Sequence, residues 1–111
     1  MNRSKRKGTM WESRVVEHLR GSGWPNAERR AQTGAADQGD IAGVLGVVVE
    51  AKAHATWHPS AWLRELDAEV VNAGADVGVV WAKVAGKSAA QDGGIQMRPG
   101  QYLALQRTAG Y

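Results

Sequence analysis

Two short runs of apolar residues constrain the fold of this chain more than any other feature. The first contains Val47, Val48 and Val49, and the second runs without a polar side chain from Val77 to Ala82. Runs of this length and β-branched content are typical of strands that are covered on both faces. We therefore expect an α/β protein whose central mixed β-sheet is flanked by α-helices.

The segment between the two runs predicts a helix. Pro59 and Ser60 introduce it, and Gly74 ends it, in keeping with the preference for proline at the start of a helix and glycine after its end. Its apolar residues recur at helical spacing. These residues are Trp62, Leu63, Leu66, Val70 and Ala73.

The remaining elements are predicted from weaker signals. Residues 1 to 8 are polar and basic and are expected to form a flexible arm, followed by a helix from about Met10 to Arg20 with Thr9 as its N-cap. Short strands are expected at residues 27 to 32, 40 to 44, 47 to 53 and 95 to 98, with a last helix at 99 to 108. A glycine-containing turn at residues 43 to 46 should close a hairpin. Residues 9 to 111 are expected to form one domain.

Composition excludes several classes of protein. A length of 111 residues leaves no room for a second domain. The chain has no cysteine, so it cannot carry a disulfide framework or a thiolate zinc site, and a reducing compartment suits it. It lacks the run of about 18 apolar residues that a membrane span requires, and no apolar stretch follows the basic start. We expect no membrane association and a cytoplasmic location.

Charge indicates a polyanionic partner. The formal net charge is +3, and the basic residues are concentrated in the first 30 positions. This distribution favours nucleic-acid binding, although a solvated basic terminus has the same composition. The side chains expected to contact DNA phosphates are Arg3, Lys5, Arg6, Lys7, Arg29, Arg30, Lys83 and Lys87.

Glu12 is an acid at a position where the first helix should be apolar. It precedes Val15, Val16 and Leu19 by three, four and seven residues, so it lies on the same helical stripe. A carboxylate that faces the core is costly unless it is paired or binds a cation. The alternative is a capping-box glutamate that bonds back to Thr9.

The hairpin adds two carboxylates and an ammonium. Glu50 and Lys52 are two residues apart on a strand and share a face, and a tight turn would bring Asp40 beside Val49 and Glu50. Two close carboxylates with oxygen-only ligands suit Mg²⁺ or Mn²⁺. Lys52 could stabilise a pentavalent phosphate or, with a depressed pKa, help to deprotonate the attacking water. Without Asp40 and Glu12, a surface ion pair would be the better interpretation.

These residues resemble the PD-(D/E)xK nuclease superfamily. The order is Glu12 on a helix, then Gly39-Asp40-Ile41, then Glu50-Ala51-Lys52 at the end of an apolar strand. Within the superfamily, the sequence is similar to the small Holliday junction resolvases of archaea and phages, over about residues 5 to 83. Gly39 replaces the proline of the superfamily's name.

The resemblance implies a restriction-endonuclease-like core and a metal-dependent DNA endonuclease. Asp40 and Glu50 would bind Mg²⁺, for which Mn²⁺ can substitute, Glu12 would complete the metal site, and Lys52 would act on the water or the transition state. Thr33 would lie near the scissile phosphate. The implied reaction is in-line attack by metal-activated water, leaving a 5′-phosphate and a 3′-hydroxyl. The implied substrate is a four-way DNA junction cut by a symmetric dimer, in a phage or prophage setting.

Three alternatives stay open from the sequence. A nicking or restriction-type endonuclease could use the same scaffold on duplex or flap DNA, and RNA is not excluded as a substrate. A basic DNA-binding protein with structural carboxylates is the alternative from another class.

Two further sets of candidate ligands fit the site less well. His54 and His58 are four residues apart, but Pro59 disfavours a metal-binding helix there. Asp37 competes with Asp40, but it lies in a glycine-rich loop that should hold it less rigidly.

Overall fold

The computed structural model describes residues 3–31 and 36–110. It is an α/β fold with a five-stranded mixed sheet flanked by helices, which confirms the expected class. The helices are α1 (Arg3–Gly21), α2 (Pro59–Ala73) and α3 (Pro99–Thr108). The strands are β1 (Glu28–Arg29), β2 (Ile41–Ala42), β3 (Val47–Lys52), β4 (Val77–Ala82) and β5 (Gly94–Gln96), and a short 3₁₀ helix covers Ala90–Asp92.

The strands lie in sequence order across the sheet, from β1 to β5. β1, β2 and β3 pair antiparallel, as does β5 with β4, whereas β3 and β4 are parallel and are joined through α2. A parallel pair needs such a crossover because its strands run in the same direction. The predicted hairpin is the β2–β3 pair, in which Ile41 lies opposite Val49.

The two apolar runs form the strands at the centre of the sheet. β4 has the predicted limits, and β3 ends one residue before the predicted limit of 53. α2 begins at Pro59, and Gly74 caps its end in the left-handed conformation. The strong signals at this centre were therefore sufficient to place it.

The sheet separates two hydrophobic cores. On one face, Val49 packs in a cluster with residues of α1, among them Trp11 and Val15. On the other face, Val48 packs in a cluster with Trp62 and Leu66 of α2. Adjacent strand residues thus point to opposite helices, as strand geometry requires. Glu50 and Lys52 have the parity of Val48 and lie on the α2 face.

The predicted start of α1 is wrong. The helix begins at Arg3 rather than Met10, so residues 3 to 8, expected to form a flexible arm, are helical and Thr9 is not an N-cap. Lysine and arginine are good helix formers, and Gly8 in a helix interior costs only about 1 kcal/mol. The local stop and start signals at Gly8 and Thr9 were therefore too weak to end the helix.

The peripheral elements are shorter than predicted. β1 and β2 contain two residues each, and β5 contains three. α3 has the predicted limits, but it buries none of its residues. Its large hydrophobic side chains Tyr102, Leu103 and Leu105 are exposed. Within residues 3–31 and 36–110, no helix is both long and apolar enough to cross a membrane.

Candidate active site

β3 carries an acid and a base at its carboxyl end. Glu50 is 5% exposed, and the Lys52 side chain is 16% exposed. The Lys52 Nζ atom lies 3.6 Å from Glu50 Oε2 and donates a hydrogen bond of 3.0 Å to Glu65 Oε2 of α2. The predicted pair therefore shares one face of the sheet, with α2 lying over it.

Backbone hydrogen bonds hold Asp40 beside β3. Its amide donates to the Val49 carbonyl oxygen at 3.0 Å, and its Oδ2 atom accepts the Ala51 amide at 2.9 Å. On the other side, the Arg30 amide donates to the Asp40 carbonyl oxygen at 2.7 Å. The predicted approach of Asp40 to Val49 and Glu50 is confirmed.

Glycine at position 39 makes this approach possible. Gly39 has a φ of 96°, in the left-handed region that other residues rarely adopt. A Cβ atom there would lie 2.8 Å from the Val48 Cγ1 atom and 3.1 Å from the Val49 carbonyl oxygen. Position 39 therefore requires glycine for the loop to approach β3 this closely.

Glu12 of α1 approaches the hairpin from the other side of the sheet. Its side chain is 21% exposed and forms a 3.1 Å ion pair with Arg29. Burial raises the pKa of Glu12, the hydrogen bond to Arg29 lowers it, and the Asp40 charge raises it further, with a net increase. The capping alternative for Glu12 fails because Thr9 lies inside the helix.

One cleft brings the four predicted catalytic residues together. Its volume is about 510 Å³, and its lining includes Glu12, Asp40, Glu50 and Lys52. Lys7 of α1 lines the same cleft. A second cleft of about 410 Å³ shares Glu12 and Asp40 with the first. Its basic lining residues are Lys5, Arg29 and Arg30.

Two further carboxylates, Asp37 and Glu69, lie beside Glu50. The sequence analysis ranked Asp37 below Asp40 and did not single out Glu69. Ligand oxygens of Asp37, Glu50 and Glu69 all lie within 4.8 Å of one another. Among the described residues this is the group of three with metal-binding geometry, and Glu12 and Asp40 are not members of it. The predicted metal ligands are therefore brought into one cleft, but Glu50 alone belongs to the tightest cluster.

Glu69 could have been found from the sequence. It follows Trp62 by seven residues and Leu66 by three, so it lies on the buried stripe of α2, as Glu12 does on α1. Its exposure is only 3%. The argument that singled out Glu12 applies to Glu69 even more strongly.

Asp37 is hydrogen-bonded to residues on both sides of its loop. Its Oδ1 atom accepts the Gly39 amide at 2.8 Å, and its carbonyl oxygen accepts a 2.9 Å hydrogen bond from Asn72 of α2. These contacts tie the end of the loop both to the hairpin and to α2. The expectation that Asp37 is less rigidly held than a strand residue stays a prediction, but its contacts place it beside the site.

The clustered acids raise one another's pKa values. Burial, followed by the neighbouring Asp40 charge and a hydrogen bond between the two carboxyls, raises the pKa of Glu50 to about 10. Burial, followed by the Asp37 charge, raises the pKa of Glu69 to about 7. Oε1 of Glu50 and Oε1 of Glu69 are buried, and neither accepts a hydrogen bond from a described residue. The cluster needs protons or a cation to offset its charge.

Lys52 is held in its charged form. Burial alone would lower its pKa, but the hydrogen bond to Glu65 and the charges of Glu50 and Glu65 outweigh that effect and raise it. An ammonium with a raised pKa is a poor general base. Of the two roles considered for Lys52, the geometry favours stabilising negative charge.

The predicted DNA-contacting residues that the structure describes fall into three groups, one on α1, one after β4, and one formed by Arg29 of β1 and the adjacent Arg30. Arg3, Lys5, Arg6 and Lys7 are exposed on the first turns of α1. Lys83 follows β4, and its amide donates to the Lys52 carbonyl oxygen at 2.8 Å, whereas Lys87 lies further along the same loop and is exposed. Thr33 lies outside the described residues.

The two loop histidines contact an aromatic ring. Their ring centroids lie 5.7 Å (His54) and 6.2 Å (His58) from that of Trp62. In the part of the chain that the structure describes, neither histidine belongs to a group with metal-binding geometry. Packing against Trp62 accounts for both positions, and His54 also lines the larger cleft.

Comparisons of the chain with known protein families, with curated proteins and with solved structures gave no match. The functional argument therefore depends on the residues of the site themselves.

Proposed function

We propose that this chain is a metal-dependent DNA endonuclease of the PD-(D/E)xK superfamily, with a restriction-endonuclease-like core. The observation that carries the proposal is the cleft of about 510 Å³ lined by Glu12, Asp40, Glu50 and Lys52. Three carboxylates and an ammonium in one cleft match the donors and charges that hydrolysis of a phosphodiester requires.

The rim of the cleft suits a nucleic-acid backbone. Lys7 lines the larger cleft, and Lys5 and Arg30 line the adjoining one. The ammonium and guanidinium groups on the rim can attract the phosphates of a nucleic acid, while the carboxylate oxygens in the floor are available to a cation. Phosphate contacts of this kind position a duplex without reading its sequence.

The residues of the floor fit a divalent cation. Glu50 Oε1 is buried without a hydrogen-bond donor among the described residues, and carboxylate oxygens are the ligands that Mg²⁺ and Mn²⁺ prefer. When bound, such a cation supplies Lewis-acid polarisation of the phosphate and a lowered pKa for water. Asp40 and Glu50 would hold it, with Glu12 completing the site, and Lys52 would stabilise charge on the phosphate.

The proposed substrate is a four-way DNA junction cut by a dimer. This part of the proposal depends on the order of the Glu12, Asp40 and Glu50-Ala51-Lys52 motifs and on their similarity to junction resolvases. A two-fold substrate with two cleavable strands is matched by a dimer with two identical sites. Paired, symmetric nicks at a junction would support it, whereas equal cleavage of linear duplex would favour a nicking or restriction-type enzyme.

The test is cleavage of a synthetic junction in the presence of Mg²⁺. We expect Lys52→Ala to lower the cleavage rate by about 10²-fold or more, because it removes a charge that stabilises the transition state. Arg107→Ala, which removes an exposed charge on α3, is the matched control and should cut at the wild-type rate. Equal rates for Lys52→Ala and the control would overturn the assigned role of Lys52.

A non-catalytic DNA-binding protein is the second candidate. Two observations favour it: Lys52 bonds to Glu65, and Glu12 pairs with Arg29, so both side chains already have structural partners. If wild type cut no DNA with Mg²⁺ or Mn²⁺, and Asp40→Asn and Glu50→Gln bound DNA as well as wild type does, this candidate would replace the nuclease.

A further inference from the structure

We propose that Asp37, Glu50 and Glu69 bind a divalent cation at a position of their own, on the α2 side of the sheet. Glu50 would then lie between two cation positions, this one and the one shared with Asp40. The part that this second ion plays in hydrolysis rests on the proposed function, but its binding does not.

The spacing of the three carboxylates fits a single ion. Their ligand oxygens lie within 4.8 Å of one another. Oxygens on opposite sides of Ca²⁺ are about 4.6 to 5.2 Å apart, and on opposite sides of Mg²⁺ about 4.0 to 4.2 Å apart, from twice the usual ligand distances. The cluster therefore accepts Ca²⁺ as it stands and Mg²⁺ or Mn²⁺ with, at most, a contraction of about 0.6 to 0.8 Å.

Unpartnered buried oxygens point to a ligand. Oε1 of Glu69 and Oε1 of Glu50 are buried and accept no hydrogen bond from any described residue, while the two residues are 3% and 5% exposed. A buried polar atom without a partner is rare in folded proteins and indicates a bound ion or water. Both oxygens belong to carboxylates of the cluster, where a bound cation would offset their charge.

The protein's own cations neutralise this cluster only in part. Lys52 is 3.6 Å from Glu50 but hydrogen-bonds to Glu65, one turn before Glu69 on α2. Among the described residues, neither Asp37 nor Glu69 has an ion pair with a lysine or arginine. Three adjacent carboxylates with so little compensation favour a divalent cation over a second protein cation.

The framework around the cluster is rigid enough to hold an ion. Glu50 lies in the central strand β3, and Glu69 is buried in α2. Asp37 is tied to Gly39 and to Asn72 by hydrogen bonds of 2.8 and 2.9 Å. Each ligand therefore comes from a different element of a packed assembly, which suits a site that is formed before the cation binds.

The experiment measures Mn²⁺ binding to the full chain without DNA, from the electron paramagnetic resonance signal of free Mn²⁺. We expect Glu69→Gln and Asp37→Asn each to raise the dissociation constant of one ion at least tenfold. Glu17→Gln removes an exposed carboxylate of α1 outside the cluster and should bind Mn²⁺ as wild type does. Glu69→Gln and Asp37→Asn each keep a side chain of nearly the same size. Thermal unfolding of the metal-free variants checks that they fold.

The outcomes separate this site from the proposed function. Wild-type Mn²⁺ affinity in both Glu69→Gln and Asp37→Asn, or no Mn²⁺ binding by wild type, would overturn the cation site. If these variants bound Mn²⁺ at least tenfold more weakly and the wild type cut no DNA, the cation site would be supported and the proposed nuclease function would be rejected. Mn²⁺-dependent cleavage with unchanged affinity in the variants would support the nuclease alone.

Discussion

At the scale of single residues, burial distinguishes the acidic residues of the candidate site from acidic residues that are exposed to solvent. Glu12, Glu50 and Glu69 all lie where the local pattern calls for an apolar side chain, and the structure leaves Glu50 and Glu69 almost fully buried. The sequence analysis identified Glu12 from its place on the apolar stripe of the first helix, and Glu50 from its position with Lys52 at the end of an apolar strand. Glu69 has the same position on the apolar stripe of α2, but the stripe argument was applied to the first helix only.

The burial of Glu50 predicts that its removal stabilises the metal-free protein. Glu50→Gln replaces a buried carboxyl that is repelled by Asp40 and Glu69 with a neutral side chain that can donate a hydrogen bond to Asp40. We expect the free energy of unfolding in EDTA to rise by about 1 to 3 kcal/mol, because a carboxyl whose pKa rises from 4.5 to about 10 must take up a proton when the chain folds at neutral pH, whereas glutamine is neutral without one. Urea denaturation at neutral pH measures it.

Glu17→Gln serves again as the control for Glu50→Gln. An exposed substitution should change the free energy of unfolding by no more than about 0.5 kcal/mol. Under the proposed function, the same Glu50→Gln variant should also lose Mg²⁺-dependent cleavage, so that stability and activity change in opposite directions. A variant that is clearly less stable than wild type in EDTA would contradict the assigned repulsion.

At the scale of elements, the strength of the local signal decided what the sequence could predict. β4, α2 and α3 have the predicted limits, because each is bounded by proline, glycine or the end of an apolar run. The start of α1 could not be predicted from Gly8 and Thr9, since helical propensity of the basic residues before them outweighs those signals. The edge strands were overestimated because few backbone partners exist at an edge of the sheet.

The close approach of Gly39 to β3 gives a prediction for the hairpin. Gly39→Ala would place a Cβ atom 2.8 Å from Val48 Cγ1 and 3.1 Å from the Val49 carbonyl oxygen. We expect a loss of about 2 to 4 kcal/mol in the free energy of unfolding, from the left-handed backbone and the steric overlap together. Urea denaturation followed by circular dichroism gives this value.

Gly86→Ala is the control that measures the conformational part of that loss, and the difference between the two variants gives the steric part. Gly86 also has a positive φ, of 79°, but nothing lies within 4 Å of the position of its Cβ atom. This variant should therefore lose only the conformational contribution, about 1 to 2 kcal/mol. If the two alanine variants were equally stable, the contact between Gly39 and β3 would not matter for folding.

At the scale of the whole molecule, the charges are sorted into an acidic interior and a basic periphery. Asp40, Glu50 and Glu69 are buried, whereas the basic residues of the first turns of α1 are exposed. The net charge of +3 therefore hides a local excess of negative charge. Amino-acid composition could not reveal this arrangement, because it depends on how α1, the hairpin and α2 meet.

The acidic interior predicts an unusual pH dependence of stability. The pKa of Glu50 is raised to about 10 and that of Glu69 to about 7, from ordinary values of 4.5. Above pH 4.5, the unfolded chain releases protons that the folded chain keeps, so the free energy of unfolding must fall as pH rises. The two carboxyls contribute their full share to the free energy of unfolding below about pH 4.5. This share is lost progressively as the pH rises through the pKa values of the folded protein.

We therefore expect the metal-free protein to be at least about 1 kcal/mol more stable near pH 5 than near pH 8, since one unit of pKa shift corresponds to about 1.4 kcal/mol. Urea denaturation in EDTA at both pH values measures the difference. The double variant Glu50→Gln, Glu69→Gln lacks both raised carboxyls and should show little change over the same range. A wild-type protein whose stability increased from pH 5 to pH 8 would show that these carboxyls ionise normally in the folded state, and the packing of α2 against β3 would then have to admit water.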